Sequence, residues 1–201
     1  MMIQGREVNA ISNKRVNANR IDCEQGTDFW KQLRRSKIGA SDVAILMNMS
    51  PWRTREQLLQ EKLGLIAPQE INGAMLRGQL REPKARACAE DMLGTLFLPE
   101  VFTSIEYPFM LASLDGVCID NKHIIEIKCT NKKNHELAKN GKIPDYYMPQ
   151  VQHQIAVCNV DQCYYFSFDG DRGVVVVVDR DDKFIANMIE MEWEFYQEMT
   201  R

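Results

Sequence analysis

The spacing of apolar positions divides the chain into two regimes. Up to residue 94 they fall at helical intervals between helix-capping signals. The pattern predicts a short helix from Asp28 to about Arg35, capped by Thr27. A second helix starts in "GASDVAILM", with Ser41 as N-cap and Asp42 in its first turn. A third follows Thr54, with Gln57 in capping-box spacing and Gly64 as its stop. A longer helix spans about 72–93, ended by Gly94. Then the period changes. "TLFLPEVFTSIEYPFMLASLDGVCIDNKHIIEIKC" is rich in β-branched and aromatic residues broken by Pro and Asp-Asn, and predicts several strands. A helix follows at about 148–158, with Pro149 in its first turn and Met148, Val151, Ile155 and Cys158 on one face. "CYYFSF" and "GVVVVVD" form a hairpin across "DGDRG". The last helix covers about 182–199, and its stripe of Met188, Met191, Phe195 and Met199 is expected to cover the sheet. This order predicts one α/β domain over 21–201, a central mixed sheet flanked by helices, after a polar segment of residues 1–20.

One strand conflicts with its own chemistry. "IIEIKC", residues 124–129, has the isoleucines of a core strand but carries Glu126 and Lys128. Residues two apart share a strand face, so the carboxylate and the ammonium point the same way. Charges inside a core are costly unless something pairs with them. A two-residue turn at Asp120-Asn121 would set Asp115 directly opposite Glu126, with Cβ atoms about 5 Å apart. Two carboxylates that close repel by roughly 3 kcal/mol at an effective dielectric near 20. A divalent cation reverses the sign, and hard Mg²⁺ prefers carboxylate oxygens and water. A three-residue turn would instead put the two acids on opposite faces.

Composition narrows the setting. The chain has 201 residues and 45% hydrophobic content, enough for one domain with a real core. Three histidines argue against a histidine-rich metal site. Six cysteines, none in C-x-x-C spacing, read as reduced thiols of a cytoplasmic protein. The first twenty residues hold no apolar stretch long enough for a signal peptide, and no run approaches a membrane span. The net charge of −3 argues against a general nucleic-acid coat but hides an asymmetry. Residues 30–37 carry four positive charges and no negative one, residues 128–142 sum to +4, and residues 179–201 sum to −4. A polyanion can therefore be held on one side of a molecule that is acidic overall.

Asp115, a short hairpin and then Glu126-x-Lys128 together resemble the core of the PD-(D/E)xK nuclease superfamily, although Leu114 stands where the name has proline. A closer resemblance is to the lambda-exonuclease and YqaJ-type family of viral recombinase nucleases. It rests on four stretches in order: "EQGTDFWKQLRRSKIGASDV", "LRGQLREPKARA", "ASLDGVCIDNKHIIEIKC" and "YMPQVQHQIAV". The resemblance implies a restriction-endonuclease-like core. It also implies a Mg²⁺-dependent (or Mn²⁺-dependent) 5′→3′ exonuclease on double-stranded DNA ends, leaving a 3′ strand for a single-strand annealing protein in phage recombination. Family members form ring-shaped homotrimers around DNA. An endonuclease of the same superfamily and a non-catalytic DNA-end-binding module are the alternatives.

The resemblance also implies roles. Asp115, Glu126 and the Ile127 carbonyl would hold the metal, and Glu82 would be a further carboxylate at the same site; its competing role is a surface pair with Arg86. Lys128 would orient or activate the attacking water. Gln150, matching the glutamine of the family's QVQ segment, would be a catalytic residue, and Tyr147, matching a neighbouring family tyrosine, would bind DNA. Arg34 and Ser41 match a pocket for the 5′-phosphate, with Arg35 as the register alternative. Met75 sits where the family places an apolar wedge between bases, though a helical methionine commonly packs into a core. Lys132 and Lys133, with Lys139 and Lys142, are candidates for backbone phosphates. Trp30 and Trp52 are expected in the core rather than as base-stacking platforms.

Overall fold

Helix boundaries follow the capping chemistry closely. The computed structural model describes residues 2–3, 6–7, 14–70 and 72–201. Two short strands, β1 (Met2–Ile3) and β2 (Arg6–Glu7), pair antiparallel. The rest of the polar segment before residue 14 lies outside the described residues. From residue 14 the chain is part of the domain: Val16 and Ala18 pack on the core, and β3 (Asn19–Ile21) joins the main sheet.

Helix α1 (Asp28–Ser36) starts where the Thr27 side chain accepts from the Trp30 N–H. After β4 (Ile38–Gly39) comes a 3-10 turn over Ala40–Asp42, then α2 (Val43–Leu46). Helix α3 (Arg55–Leu63) has the Thr54–Gln57 capping box and ends at Gly64, φ +74°. Helix α4 (Gly73–Leu93) is capped by Asn72 and stops at Gly94. Its first half is exposed almost all round, whereas Ala85 and Ala89 are fully buried. Pro83, which has no N–H to donate, stands between the two halves.

Next come β5 (Phe97–Thr103), β6 (Met110–Cys118), β7 (Ile124–Cys129), α5 (Lys132–Lys139), α6 (Met148–Cys158), β8 (Gln162–Phe168), β9 (Gly173–Asp179) and α7 (Asp182–Met199). The pattern had no sign of β3, β4 or α5; two are very short strands, and α5 is a polar helix started by an Asn131 cap.

The seven-stranded sheet runs β3-β5-β6-β7-β8-β9, with β4 also on β6. β7 and β8 are parallel, joined through α5 and α6; β4 and β6 are parallel, and the other pairs are antiparallel. The fold is thus mixed α/β with helices on both sheet faces. Ile124, Cys163, Tyr165 and Val176 share a core with residues of α2, α6 and α7. Ile125, Ile127, Tyr164 and Phe166 share the other with Ala85 and Ala89 of α4. Helix α7 packs against α2, α3 and α6, forming an outer layer instead of covering the sheet directly. Its buried stripe is Ile185, Met188, Glu192 and Phe195; Met191 and Met199 are half-buried.

Candidate active site

The β6–β7 register decides whether Asp115 and Glu126 can meet. Gly116 pairs with Ile125 and Val117 with Ile124, the register that places Asp115 beside Glu126. The turn is longer than expected. Cys118 N–H still bonds to the His123 carbonyl, so four residues close the hairpin, with Asn121 in the left-handed region at φ 58°. Four and two are both even, so the faces are preserved.

Strand β6 is irregular at this point. Against β5, Leu114 pairs with Glu100 and Val117 with Leu98, so Asp115 and Gly116 together face the single residue Pro99. Proline offers no ladder N–H, which suits a bulge. Gly116 is required there, since a Cβ would lie 2.5 Å from the Phe97 Cβ and 2.9 Å from Ile125. Past Gly116 the ladder to β7 stops, and Asp115 Oδ2 accepts from the Ile127 N–H at 2.6 Å. A residue's N–H and C=O leave a strand on the same edge, so the Ile127 carbonyl also faces the Asp115 side.

Glu126 points to the α6 face, as Ile124 does, and is 1% exposed. Its charge is met by side chains. Gln150 Nε2 donates to Oε1 at 2.7 Å, Gln154 Nε2 to Oε2 at 2.5 Å, and Lys128 Nζ lies 2.5 Å from Oε1. Lys128 Nζ also stands 4.9 Å above the Tyr147 ring. Burial lowers the Lys128 pKa, but Glu126 and Asp115 outweigh it and hold the ammonium well above its ordinary value. Asp115 is raised well above the carboxylate range, first by burial and then by the Glu126 charge; Lys128 and the Ile127 N–H only partly offset this. Glu126 is thus buried against two glutamines and a lysine, while the Asp115 carboxyl is left under-compensated.

Gln154 was missed, although its i+4 spacing from Gln150 on α6 puts both on one helical face. The helix is pinned by a polar contact on another face, where His153, fully buried, bridges Glu192 of α7 at 2.8 Å and the Leu111 carbonyl at 3.1 Å.

A cavity of about 450 Å³ opens over this cluster. Glu82, Ile127, Lys128, Tyr147 and Gln150 line it, as do Met75 and Ser41 on other walls. Glu82 forms the surface pair with Arg86 at i+4, and it is near enough to Asp115 for its charge to raise that carboxyl. Met75 is 42% exposed at the cavity, not packed in the core. Trp52 overturns its expectation too: it is 63% exposed and lines the same cavity. Trp30 is half-buried, donating to Ser113 Oγ at 2.8 Å.

Arg34 and Ser41 do come together, Nη2 donating to Oγ at 2.8 Å. Ser41 is not a helix N-cap, however. It lies inside the 3-10 turn, and Asp42 Oδ2 accepts the Gly39 N–H instead. Below them Asp42 forms a buried ion pair with Lys62 at 2.6 Å, and Lys62 also donates to the Arg34 and Lys37 carbonyls. Arg35 turns away, donating to the Lys62 and Leu63 carbonyls at the end of α3. A Cβ on Gly64 would fall 1.9 Å from its guanidinium. Lys132 and Lys133 are exposed at the start of α5.

Among the described residues no group of three His, Cys, Asp or Glu side chains is arranged to hold a metal. The donor types nevertheless fit a hard divalent cation: Asp115, Glu126 and the Ile127 carbonyl are oxygen donors, and Asp115 is short of positive charge. Glu82 would have to leave Arg86 to join them.

A family model described as YqaJ-like viral recombinase domain matches residues 29–161, from α1 to just past α6. The chain belongs to that family. This family member is 28% identical over 194 residues to the uncharacterized protein YqaJ of Bacillus subtilis, covering 94% of this chain and 61% of that protein. It is 26% identical to protein D345L of African swine fever virus, covering 67% of this chain and 46% of the viral protein. The chain therefore spans about half to three-fifths of these relatives. Among solved structures, the alkaline exonuclease LHK-Exo of Laribacter hongkongensis superposes with a TM-score of 0.74 at 31% identity, covering 87% of this chain and 93% of that one. The same exonuclease in complex with dAMP matches equally, at 30% identity. A phage-related exonuclease of Haemophilus somnus shares the fold, with a TM-score of 0.59 at 16% identity over 81% of this chain and 92% of that one.

Proposed function

We propose that this protein is a divalent-metal-dependent deoxyribonuclease that digests double-stranded DNA from its ends, 5′→3′, in viral-type recombination. The observation that carries this reading is the gathering of Asp115, Glu126 and Lys128 beside one cavity, which Lys128 lines. Its support is the fold shared with an exonuclease that is also known in complex with a deoxynucleoside monophosphate.

In this reading Asp115, Glu126 and the Ile127 carbonyl hold Mg²⁺, or Mn²⁺, with Glu82 as a further carboxylate. Bound there, such an ion would supply positive charge to the oxygens of an in-line displacement at phosphorus. Gln150 and Gln154 fix the Glu126 carboxylate, so its orientation need not be acquired during reaction. The Lys128 ammonium, steadied over Tyr147, faces the scissile phosphoryl group and orients the attacking water. Arg34 and Ser41 take the terminal 5′-phosphate through charge-assisted hydrogen bonds. Met75 stands at the cavity wall where the duplex end would part, and Lys132 and Lys133 offer charge to backbone phosphates. A homotrimeric ring would keep an acidic chain on DNA by placing basic segments inside and the acidic 179–201 segment outside. The 3′ strand would pass to a single-strand annealing protein.

The test is linear duplex labelled separately at each 5′ and 3′ end. With Mg²⁺, the 5′ label should appear first as mononucleotide, and chelator should stop its release. Cleavage of a covalently closed circular duplex would make the enzyme an endonuclease. No nucleotide release from linear duplex with Mg²⁺ would leave a non-catalytic binding module.

A further inference from the structure

Trp52 combines exposure with rigidity. The Trp52 ring is 63% exposed, and tryptophan is a residue type enriched at interfaces. Its loop is not loose. Met49 and Ser50 N–H both donate to the Ala44 carbonyl, at 2.8 and 2.9 Å. The Trp52 N–H donates to Ser50 Oγ at 3.3 Å, and Arg53 forms a 2.8 Å ion pair with Glu61 of α3. The capping box of α3 begins one residue later. The indole is thus held out over the cavity by backbone pinned on both sides.

Among the described residues its aromatic neighbour is Tyr146, at 5.0 Å between ring centroids and 82° between planes. A T-shaped contact covers at most one face of the indole, and the residue remains 63% exposed. Tyr146 is itself fixed: its hydroxyl accepts from Asn134 at 2.7 Å, and its ring meets Tyr147 at 4.5 Å. Tyr147 carries the Lys128 ammonium. An aromatic series therefore leads from the rim to the cationic end of the site, inside a cavity of about 450 Å³ that also includes Ser41. The Lys128 ammonium and the Ser41 hydroxyl suit phosphate, and the exposed indole suits a flat base. Base–aromatic stacking contributes about 1–3 kcal/mol per base and tolerates any sequence.

We propose that Trp52, backed by Tyr146, is the stacking face for an unpaired terminal base of the strand entering the cavity. The proposal rests on the nuclease reading for its substrate class, but its test needs no hydrolysis. The probe is a 5′-phosphorylated duplex with 2-aminopurine at an unpaired 5′-terminal position, titrated in chelator. The wild-type protein should quench the probe, and should quench much less a duplex carrying 2-aminopurine paired in the interior. Trp52→Ala should abolish the quench and weaken binding roughly 10-fold. Trp52→Phe should keep most of both, which a lost fold would not. Equal quench and affinity in wild type and Trp52→Ala, or no terminal quench by the wild type, overturns the proposal. Wild-type digestion of the same duplex with Mg²⁺ is scored separately. A protein that stacks but does not cut overturns the nuclease reading alone, and one that cuts without the Trp52-dependent quench overturns the stacking alone.

Discussion

Asp42 and Asp115 each sit beside a lysine and accept a backbone N–H, yet their carboxyls are displaced in opposite directions. Burial alone would raise both. At Asp42, Lys62 at 2.6 Å, Arg34 and the Gly39 N–H together hold the carboxyl below its usual range. At Asp115 burial is reinforced by the Glu126 charge, and Lys128 is already engaged by Glu126, so the carboxyl is pushed well up. The first cluster is closed: its one carboxylate is met by a lysine and an arginine, and Lys62 also ties down two carbonyls that end α1 and start the next segment. The second is left with more negative charge than its partners neutralise, beside an open cavity. A closed pair braces the fold, whereas an open one has a use for an added cation.

The strongest way to break this contrast is to neutralise each aspartate. Asp115→Asn should reduce hydrolysis by at least on the order of 10²–10³-fold. Its melting temperature in chelator should match or exceed the wild type's, because a like-charge repulsion is removed. Mg²⁺ should raise the melting temperature of wild type but not of this variant. A large loss of metal-free stability in Asp115→Asn would show that its carboxylate is a brace after all.

Asp42→Ala should behave oppositely, losing about 3–5 kcal/mol of stability by leaving Lys62 buried without its partner. The pH dependence has a definite sign. The folded pKa of Asp42 lies below its unfolded value, so its contribution is fully present above the unfolded pKa of about 3.9 and is lost as pH falls through the folded value. Urea unfolding between neutral pH and pH 3 should therefore show a shallower acid loss in Asp42→Asn than in wild type. Parallel curves would contradict the assignment.

The smallest effect separates two adjacent arginines above the closed pair. Arg34→Ala should reduce the advantage of 5′-phosphorylated over 5′-hydroxyl ends by about 10-fold, the value of one charge-assisted contact. Arg35→Ala should leave that ratio alone and lower stability by about 1–3 kcal/mol, since its bonds go to the end of α3. Equal digestion of both kinds of end by wild type would remove Arg34 from the phosphate pocket.

Much of this was determined by the sequence alone, because the signals are local. Thr27, Thr54 and Gln57, Gly64 and Gly94 mark helix ends by bonds that span only a few residues. The shared face of Glu126 and Lys128 follows from strand alternation, and the side of α6 that carries Gln150 follows from helical period. Other features were decided only when distant segments met. The bulge that hands the Ile127 N–H to Asp115 depends on Pro99 of a third strand. Ser41 lost its expected cap because Asp42 reaches Gly39 while being drawn to Lys62 of α3. Trp52 faces water because the chain on both sides of it is tied to α2 and α3. Apolar content does not record such ties. A residue's type gives the cost of exposing or burying it, but where it lies is set by the sum of contacts made by all the segments around it.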